Sequence, residues 1–260
     1  MQELKGIITP SKDEIMFKGL YPRIYDQNIR PESFYRNYIS TYIEKDIRQI
    51  KKVTDLDKFT RFIRLLAART GQELVYSAIS EECGVTNNTV IEWVSVLEAS
   101  FLIYLLRPYH KNYNKRLVKR SKIYFLDTGL VCNLLGIKSK EELALHYLRG
   151  NIFETFVISE ILKSSFNPGE RFDMYFWRDN YRKEIDLIID SGLEQRGVEI
   201  KSSETFSEKF LSGLKYWQQL SQADSKFLYL LYGGDQEMLR DGIGIVSWKN
   251  VYEGLKLSAL

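Results

Sequence analysis

Four side chains in the second half of the chain have the types and spacing that phosphodiester hydrolysis requires: Glu154, Asp186, Glu199 and Lys201. Asp186 lies in EIDLIID, whereas Glu199 and Lys201 lie in GVEIKSS; both segments have the apolar pattern of strands. Side chains two positions apart on a strand share a face, and an antiparallel neighbour would bring Asp186 beside Glu199. Carboxylate oxygens bind hard cations such as Mg²⁺ or Mn²⁺, and a nearby ammonium can orient a hydrolytic water or offset phosphate charge. We therefore predict that all four are catalytic, with Asp186, Glu199 and Glu154 as metal ligands.

The alternative is that these residues are merely solvated strand ends, which often carry Asp, Glu and Lys. Their apolar surroundings favour a site, because an ionised group embedded in an apolar strand needs a partner or a metal. Glu184 shares a strand face with Asp186 and could assist it, or could be an exposed hairpin carboxylate. Gln218 or Gln219 on the following predicted helix could also reach the site, although a solvated helix face is the simpler interpretation.

The elements before this site are predicted to be mainly helical. Apolar residues recur at helical spacing over residues 32–51 and 55–70. Residues 76–83 and 87–99 predict two shorter helices with a turn at Gly84, where glycine accepts a positive φ. Strand patterns over 102–108 and 122–127 would complete a winged helix. The exposed face of its second helix would carry Thr86, Asn87, Asn88, Thr89 and Glu92. Asn and Thr suit base or phosphate contacts, but no Arg or Lys lies between Thr70 and Arg107, so this helix can equally build a protein interface.

A basic stretch, residues 107–122, separates the two predicted strands. It holds seven Lys or Arg residues and no acidic residue, with Tyr109, His110 and Tyr113 interleaved. This composition is typical of phosphate contact or of contact with an acidic protein face, whereas the simpler interpretation is a solvated loop. The predicted nucleic-acid-binding residues are Lys111, Lys115, Arg116, Lys119 and Arg120.

Whole-chain properties exclude several classes of protein. A hydrophobic content of 44% supports folded cores, and a net charge of +3 is too small to indicate nucleic acid without local clustering. Two isolated cysteines, Cys83 and Cys132, argue against a disulfide framework and structural zinc, which favours a cytoplasmic protein. No apolar run is long enough to span a membrane, and no signal peptide is recognisable. The sequence has no GxxxxGK[ST] loop, so we expect no ATP site in this chain.

Longer motifs resemble a known family. They are GLYPRIYD, YISTYIEKDIRQI, the segment from Val96 to Leu130, LRGNIFETFVISEIL, FWRDNYRKEIDLII and VEIKSS. They resemble the C-terminal two-thirds of prokaryotic AAA-type ATPases that carry the domain of unknown function DUF4143. The resemblance implies a winged helix and a restriction-endonuclease-like domain of PD-(D/E)XK type. It maps Asp186, Glu199 and Lys201 onto the nuclease motif and Glu154 onto its helical acid. The family's N-terminal ATPase domain has no counterpart here, and Glu184-Ile185 replaces the motif's proline.

The predicted fold is mixed α/β (α+β overall), a helical winged-helix domain followed by a restriction-endonuclease-like α/β domain with a central mixed sheet. The predicted divisions are a remnant or linker at 1–30, a helical and winged-helix domain at 31–127, a helical connector at 128–148 and a nuclease-like domain at 149–260. The leading expectation is a DNA-associated nuclease-like module of an AAA-type ATPase protein, dependent on Mg²⁺ or Mn²⁺ if active. The alternative is a non-catalytic DNA- or protein-binding regulatory module. Expected partners are DNA, an ATPase or a second copy of the chain, and no membrane.

Overall fold

The computed structural model describes residues 10–43, 55–109, 120–166, 172–192 and 194–255. Within those ranges the chain has eleven α-helices and nine β-strands, which confirms the predicted α+β class. The chain divides into two compact units. Unit 1 comprises residues 1–105 and 122–156, and unit 2 comprises residues 106–121 and 157–260.

Unit 1 is mostly helical. Its helices are α1 (Lys12–Lys18), α2 (Pro22–Asp26), α3 (Pro31–Tyr38), α4 (Leu56–Ala67), α5 (Tyr76–Cys83), α6 (Asn87–Ala99), α7 (Thr128–Leu134), α8 (Lys140–Leu145) and the first half of α9 (Arg149–Ser164). Its strands are β1 (Gln72–Glu73), β3 (Lys122–Phe125) and the first half of β2 (Ile103–Pro108), in the order β1-β3-β2, with β1 antiparallel to β3. A π-helical turn, Ile39–Ile43, follows α3, so the long helix predicted over 32–51 is regular only to Tyr38 before residues outside the described ranges begin at 44.

Helices α5 and α6 form the predicted pair with its tight turn. Gly84 ends α5 in the left-handed conformation at φ +64°, which glycine adopts without strain. The Thr86 hydroxyl then accepts the backbone N–H of Thr89 at 3.1 Å and so caps α6. Trp93 of α6 packs against Phe59 and Phe62 of α4 at ring-centroid distances of 5.2 and 5.1 Å. The turn chemistry and the apolar stripe together orient the pair.

A buried carboxylate holds the N-terminal residues inside unit 1. Asp127 Oδ2 accepts the backbone N–H of Leu20 at 2.8 Å, and Oδ1 accepts the N–H of Leu130 at 2.9 Å and the Tyr35 hydroxyl at 2.6 Å. Residues 10–26, predicted to be a remnant or linker, thus form helices that pack into this unit. The predicted domain limits stay a prediction, because the compact units divide the chain differently.

Unit 2 is a mixed sheet with helices. Its strands are the second half of β2, β4 (Asp173–Arg178), β5 (Glu184–Asp190), β6 (Gln195–Lys201), β7 (Leu228–Tyr232), β8 (Met238–Arg240) and β9 (Ile243–Ser247), in the order β2-β4-β5-β6-β7-β9-β8. The β4–β5, β5–β6 and β8–β9 pairs are antiparallel, and the β2–β4, β6–β7 and β7–β9 pairs are parallel. Its helices are the second half of α9, α10 (Ser212–Ser221) and α11 (Val251–Gly254). Strands β1 and β8 had no prediction, because two or three residues are too few to show a period.

Helix α10 closes the core of unit 2. Its Leu214 and Trp217 are buried together with Ile185 of β5 and Trp177 of β4, and the two indole rings lie 5.2 Å apart. All four tryptophans of the chain are buried: Trp93, Trp177, Trp217 and Trp248. In the described part of the chain, no helix combines the length and apolarity needed to cross a membrane.

Candidate functional site

Asp186, Glu199 and Lys201 meet at the junction of β5 and β6, as predicted. The two strands are antiparallel and pair Leu187 with Val198, one residue inside both carboxylates. Lys201 Nζ lies 2.5 Å from Glu199 Oε1 and 3.7 Å from Asp186 Oδ2. The three charged groups therefore share one face of the sheet, where strand alternation puts Glu199 and Lys201.

The backbone fixes Asp186 in this arrangement. Its Oδ2 accepts the N–H of Ile200 at 2.8 Å, just past the point where the β5–β6 register ends. A carboxylate that bonds a neighbouring strand's amide loses rotamer freedom, so its position is set before any ligand arrives. Asp186 and Glu199 are each only 8% exposed, which is unusual for acidic residues.

Helix α10 makes the Glu199 carboxylate a buried group. A Cβ at Gly213, the second residue of α10, would lie 3.1 Å from Glu199 Oε2 and 3.0 Å from the Glu184 carbonyl oxygen. Oε2 is buried and accepts no hydrogen bond from the residues that the structure describes. Burial, reinforced by the negative charge of Asp186, raises the pKa of Glu199 to about 8, although Lys201 opposes the shift. Oε2 is thus a buried acceptor to which no described residue donates.

Glu184 lies beside this cluster on β5 but has its own partner. Its carboxylate forms an ion pair with Arg178 of β4, across the antiparallel β4–β5 register. The negative charge of Glu184 also contributes to raising the pKa of Glu199. Glu184 is therefore a half-buried, paired residue and not an exposed hairpin carboxylate, and its assistance to the site stays a prediction.

Glu154 lies in a different setting. It is part of unit 1, where its Oε1 accepts hydrogen bonds from Lys122 Nζ at 3.0 Å and from the Tyr124 hydroxyl at 2.5 Å. Lys122 is only 3% exposed, so the pair is an almost fully buried ion pair. Among the described residues, no group of three or more His, Cys, Asp or Glu is placed to hold a metal ion. The role of Glu154 as a ligand therefore stays a prediction.

The basic stretch can be followed at its ends only. Lys111, Lys115, Arg116 and Lys119 lie outside the described residues, and Arg120 is exposed. Two other members of the stretch are used internally: Lys122 pairs with Glu154, and the buried Tyr109 donates its hydroxyl to Asp190 Oδ2 at 3.3 Å. The prediction of phosphate contact therefore depends on the residues between Tyr109 and Ser121.

On α6, the predicted recognition face is mixed in character. Thr86 and Thr89 are joined through their hydroxyls at 2.8 Å and serve the helix cap. Asn87, Asn88 and Glu92 are exposed. With an acidic residue and no basic one on it, this face favours a protein contact over the phosphate backbone.

Two features beside the site were not identified from the sequence. Gly213 lets α10 approach Glu199, and Asp179 organises the β4–β5 turn that leads into Glu184. Asp179 could have been found, because an Asp that follows a strand and begins a short polar run is typical of a turn. For Gly213 the sequence carries no such signal, since its neighbour Glu199 comes from another element.

Two family models match this chain over nearly all of its length. The domain of unknown function DUF8612 matches residues 10–141, and the domain of unknown function DUF4143 matches residues 149–251. The chain belongs to the DUF8612 family. The DUF4143 resemblance is confirmed for the part that carries Asp186, Glu199 and Lys201, whereas residues 10–141 match DUF8612.

Curated relatives are themselves uncharacterized. The chain is 28% identical over 204 residues to the uncharacterized protein Rv2008c of Mycobacterium tuberculosis and to its counterpart Mb2031c of Mycobacterium bovis. It is 32% identical over 134 residues to the uncharacterized protein MJ1637 of Methanocaldococcus jannaschii. The mycobacterial match covers 78% of this chain but 45% of each relative, so the chain spans less than half the length of those proteins. No solved structure matches the chain significantly.

Proposed function

We propose that unit 2 is a divalent-metal-dependent phosphodiesterase module that acts on DNA as part of a larger, ATPase-containing protein. The observation that supports it is the cluster of buried Asp186 and Glu199 with Lys201, in which Glu199 Oε2 accepts no hydrogen bond from the described residues. The carboxylates of Asp186 and Glu199 supply oxygen ligands for a cation. The ammonium of Lys201 lies beside them and can donate a proton or a hydrogen bond. This set meets the requirements of phosphodiester hydrolysis more fully than any other charged cluster in the described residues.

The residues present fit Mg²⁺ or Mn²⁺. Asp186 and Glu199 would hold the ion, because hard cations prefer carboxylate oxygens and because Glu199 Oε2 is a buried acceptor to which no described residue donates. A bound ion would act as a Lewis acid on a phosphate oxygen and lower the pKa of a water. Since Glu199 has a raised pKa, loading the ion would require its carboxyl group to release a proton.

Lys201 has the second role in this proposal. It now donates to Glu199 Oε1 and lies near Asp186, so it balances the two carboxylates. Its side chain is 35% exposed, so solvent and a substrate phosphate can approach it. From there it can orient the attacking water and stabilise the negative charge that develops on phosphorus.

One observation favours a second candidate function, a non-catalytic module that binds DNA or a protein. Glu154, the predicted third carboxylate, is bound by Lys122 and Tyr124, and the described residues contain no group of three metal-binding side chains. In this alternative, α5, α6 and the following strands act as a winged helix that recognises a partner, and the nuclease-like unit serves as a scaffold.

The deciding experiment is a cleavage assay. The chain is incubated with Mg²⁺ or Mn²⁺ and with single-stranded, duplex, forked and supercoiled DNA. We expect cleavage that Asp186→Asn lowers by at least about a hundredfold, since metal ligation contributes several kcal/mol. Asp173→Asn, which changes an exposed carboxylate on β4, should cleave like the unaltered protein. DNA binding without cleavage in any metal would reject the enzyme and support the module.

A further inference from the structure

The turn between β4 and β5 is built to hold a fixed shape. Asp179 is only 4% exposed, and its Oδ1 accepts the backbone N–H groups of Tyr181 and Lys183, both at 2.9 Å. The backbone N–H of Asp179 donates to the Lys183 carbonyl at 3.0 Å, and Arg182 N–H donates to the Asp179 carbonyl at 3.2 Å. A single buried side chain thus sets the conformation of the four residues that follow it.

Helix α10 supports this turn from the side. The Tyr216 hydroxyl donates to Asp179 Oδ2 at 3.2 Å, and Lys183 Nζ lies 6.0 Å from the centre of the Tyr216 ring. Arg182 has φ +63°, a left-handed conformation that costs energy for a residue with a Cβ. Such a residue persists where its surroundings enforce it, and this pattern clusters at functional sites. The buried carboxylate and the left-handed residue hold the turn in one shape, so its exposed side chains are presented in a fixed arrangement.

The tip presents an aromatic ring and two cations to solvent. Tyr181 is 87% exposed, and Arg182 and Lys183 are exposed beside it, whereas the only acidic group of the turn, Asp179, is buried. An exposed aromatic ring is a stacking platform for an unpaired base, and adjacent cations bind the backbone phosphates. Duplex DNA stacks its bases internally and so offers an aromatic ring no base face away from its ends.

The tip lies next to the candidate metal site. Lys183 directly precedes β5 and is three residues from Asp186, a span of about 10 Å at the rise of a strand. Helix α10 contacts both places: Gly213 packs against Glu184 and Glu199, and Tyr216, three residues later, binds Asp179. If one nucleotide of a strand is held at the tip, the phosphate one or two nucleotides further along that strand would therefore reach Asp186 and Glu199.

We propose that the β4–β5 tip is a binding site for an unpaired nucleotide of single-stranded DNA, with the base stacked on Tyr181 and the phosphates bound by Arg182 and Lys183. This inference rests on the proposed function, since it names the substrate class of that site: single-stranded or frayed DNA, bound without regard to sequence. Stacking carries no base code, because every base has a π face.

The test measures binding in EDTA, where cleavage cannot occur and the tip contacts need no metal. Fluorescein-labelled oligo(dT) 20-mer and a 20-base-pair duplex are titrated with the chain by fluorescence anisotropy. We expect oligo(dT) to bind more tightly than the duplex, and Tyr181→Ala to weaken oligo(dT) binding by about tenfold, the usual effect of losing one stacked base. Tyr181→Trp should keep the affinity. Arg182→Gln combined with Lys183→Gln should lower the slope of log K against log salt by about 1.4, since each single-strand phosphate contributes about 0.7.

Tyr147→Ala is the matched control, because Tyr147 is also an exposed tyrosine, at 81%, but belongs to unit 1. It should bind oligo(dT) unchanged. Binding to oligo(dT) that survives Tyr181→Ala, or no binding by the unaltered chain, would overturn the inference. Tyr181-dependent binding by a chain that cleaves nothing would sustain the inference and reject the nuclease. DNA cleavage that does not depend on Tyr181 would support the nuclease and reject the inference about the tip.

Discussion

Lys201 Nζ lies 2.5 Å from Glu199 Oε1, and the two residues are two positions apart on β6. This contact follows directly from strand geometry, because alternate side chains project from the same face. The second oxygen of the carboxylate, Oε2, is unusual, because it is buried against Gly213 and receives no hydrogen bond from any described residue. Lys201 thus pairs with one oxygen of Glu199, while no described residue donates to the other, which makes the carboxyl group sensitive to protons and cations.

The first prediction concerns pH. Burial raises the pKa of Glu199 from 4.5 to about 8, so between these values the folded chain holds a proton that the unfolded chain has released. The free energy of unfolding should therefore fall as pH rises from about 4.5 to 8, by on the order of a few kcal/mol. Glu199→Gln removes this titration, so the variant should gain stability relative to the unaltered chain as pH rises. Urea unfolding in EDTA at pH 5, 6.5 and 8 measures the difference.

Glu208→Gln is the control for that measurement, because the Glu208 side chain is 61% exposed. It should reproduce the pH dependence of the unaltered chain. Parallel pH curves for Glu199→Gln and the unaltered chain would contradict the assignment of a raised pKa.

The second prediction concerns metal binding without reference to activity. If Asp186 and Glu199 hold Mg²⁺ or Mn²⁺, the ion should stabilise the folded chain by about 1–3 kcal/mol at ten to a hundred times its Kd. The rise in Tm should be larger at pH 8 than at pH 6, because a proton on Glu199 competes with the ion. Asp186→Asn should abolish the rise, and Asp173→Asn should retain it. If neither Mg²⁺ nor Mn²⁺ changes the Tm of the unaltered chain, the proposed metal site is rejected.

The third prediction tests whether Glu154 is the structural partner of Lys122 or a metal ligand. Glu154→Ala leaves the ammonium of Lys122 buried without that carboxylate, which should cost about 3–5 kcal/mol in urea unfolding. The double variant Glu154→Leu with Lys122→Met should recover most of the loss, since a well-packed apolar pair avoids the desolvation of both charges. A structural Glu154 also implies that Glu154→Gln keeps the metal-induced rise in Tm. Loss of that rise with stability intact would instead make Glu154 a ligand.

The fourth prediction concerns the close approach of α10. Alanine is a better helix former than glycine by about 1 kcal/mol, so Gly213→Ala would stabilise an isolated helix. Here its Cβ would lie 3.0 Å from the Glu184 carbonyl and 3.1 Å from Glu199 Oε2, and relieving such overpacking typically costs about 1–3 kcal/mol. We expect a net loss of stability and a weaker metal response, whereas Ser212→Ala on the exposed neighbour should change neither. Thermal melts with and without Mg²⁺ measure both quantities, and a stabilised Gly213→Ala would show that α10 can move away.

Local pattern was enough to predict much of the site. The apolar pattern of EIDLIID and GVEIKSS identified β5 and β6, and the spacing of Glu199 and Lys201 placed both side chains on one face. The same kind of signal located α5 and α6, because Gly84 and Thr86 have roles that depend on their own backbone. Such features depend on neighbours within a few residues, so the spacing of apolar and turn-forming residues along the sequence is enough to predict them.

The partners of the charged groups were decided by tertiary structure alone. Glu154 accepts hydrogen bonds from Lys122 and Tyr124 of β3, which lie 32 and 30 residues away along the chain and were not predicted as its partners, whereas its role as a metal ligand stays a prediction. Likewise, the burial of Glu199 by Gly213 and the support of Asp179 by Tyr216 arise where α10 packs on the sheet. The sequence was enough to predict that Asp186, Glu199 and Lys201 lie together, because strand periodicity depends on nearby residues. Burial, pKa and choice of partner depend on which distant elements pack together, and a short-range pattern carries no record of that packing.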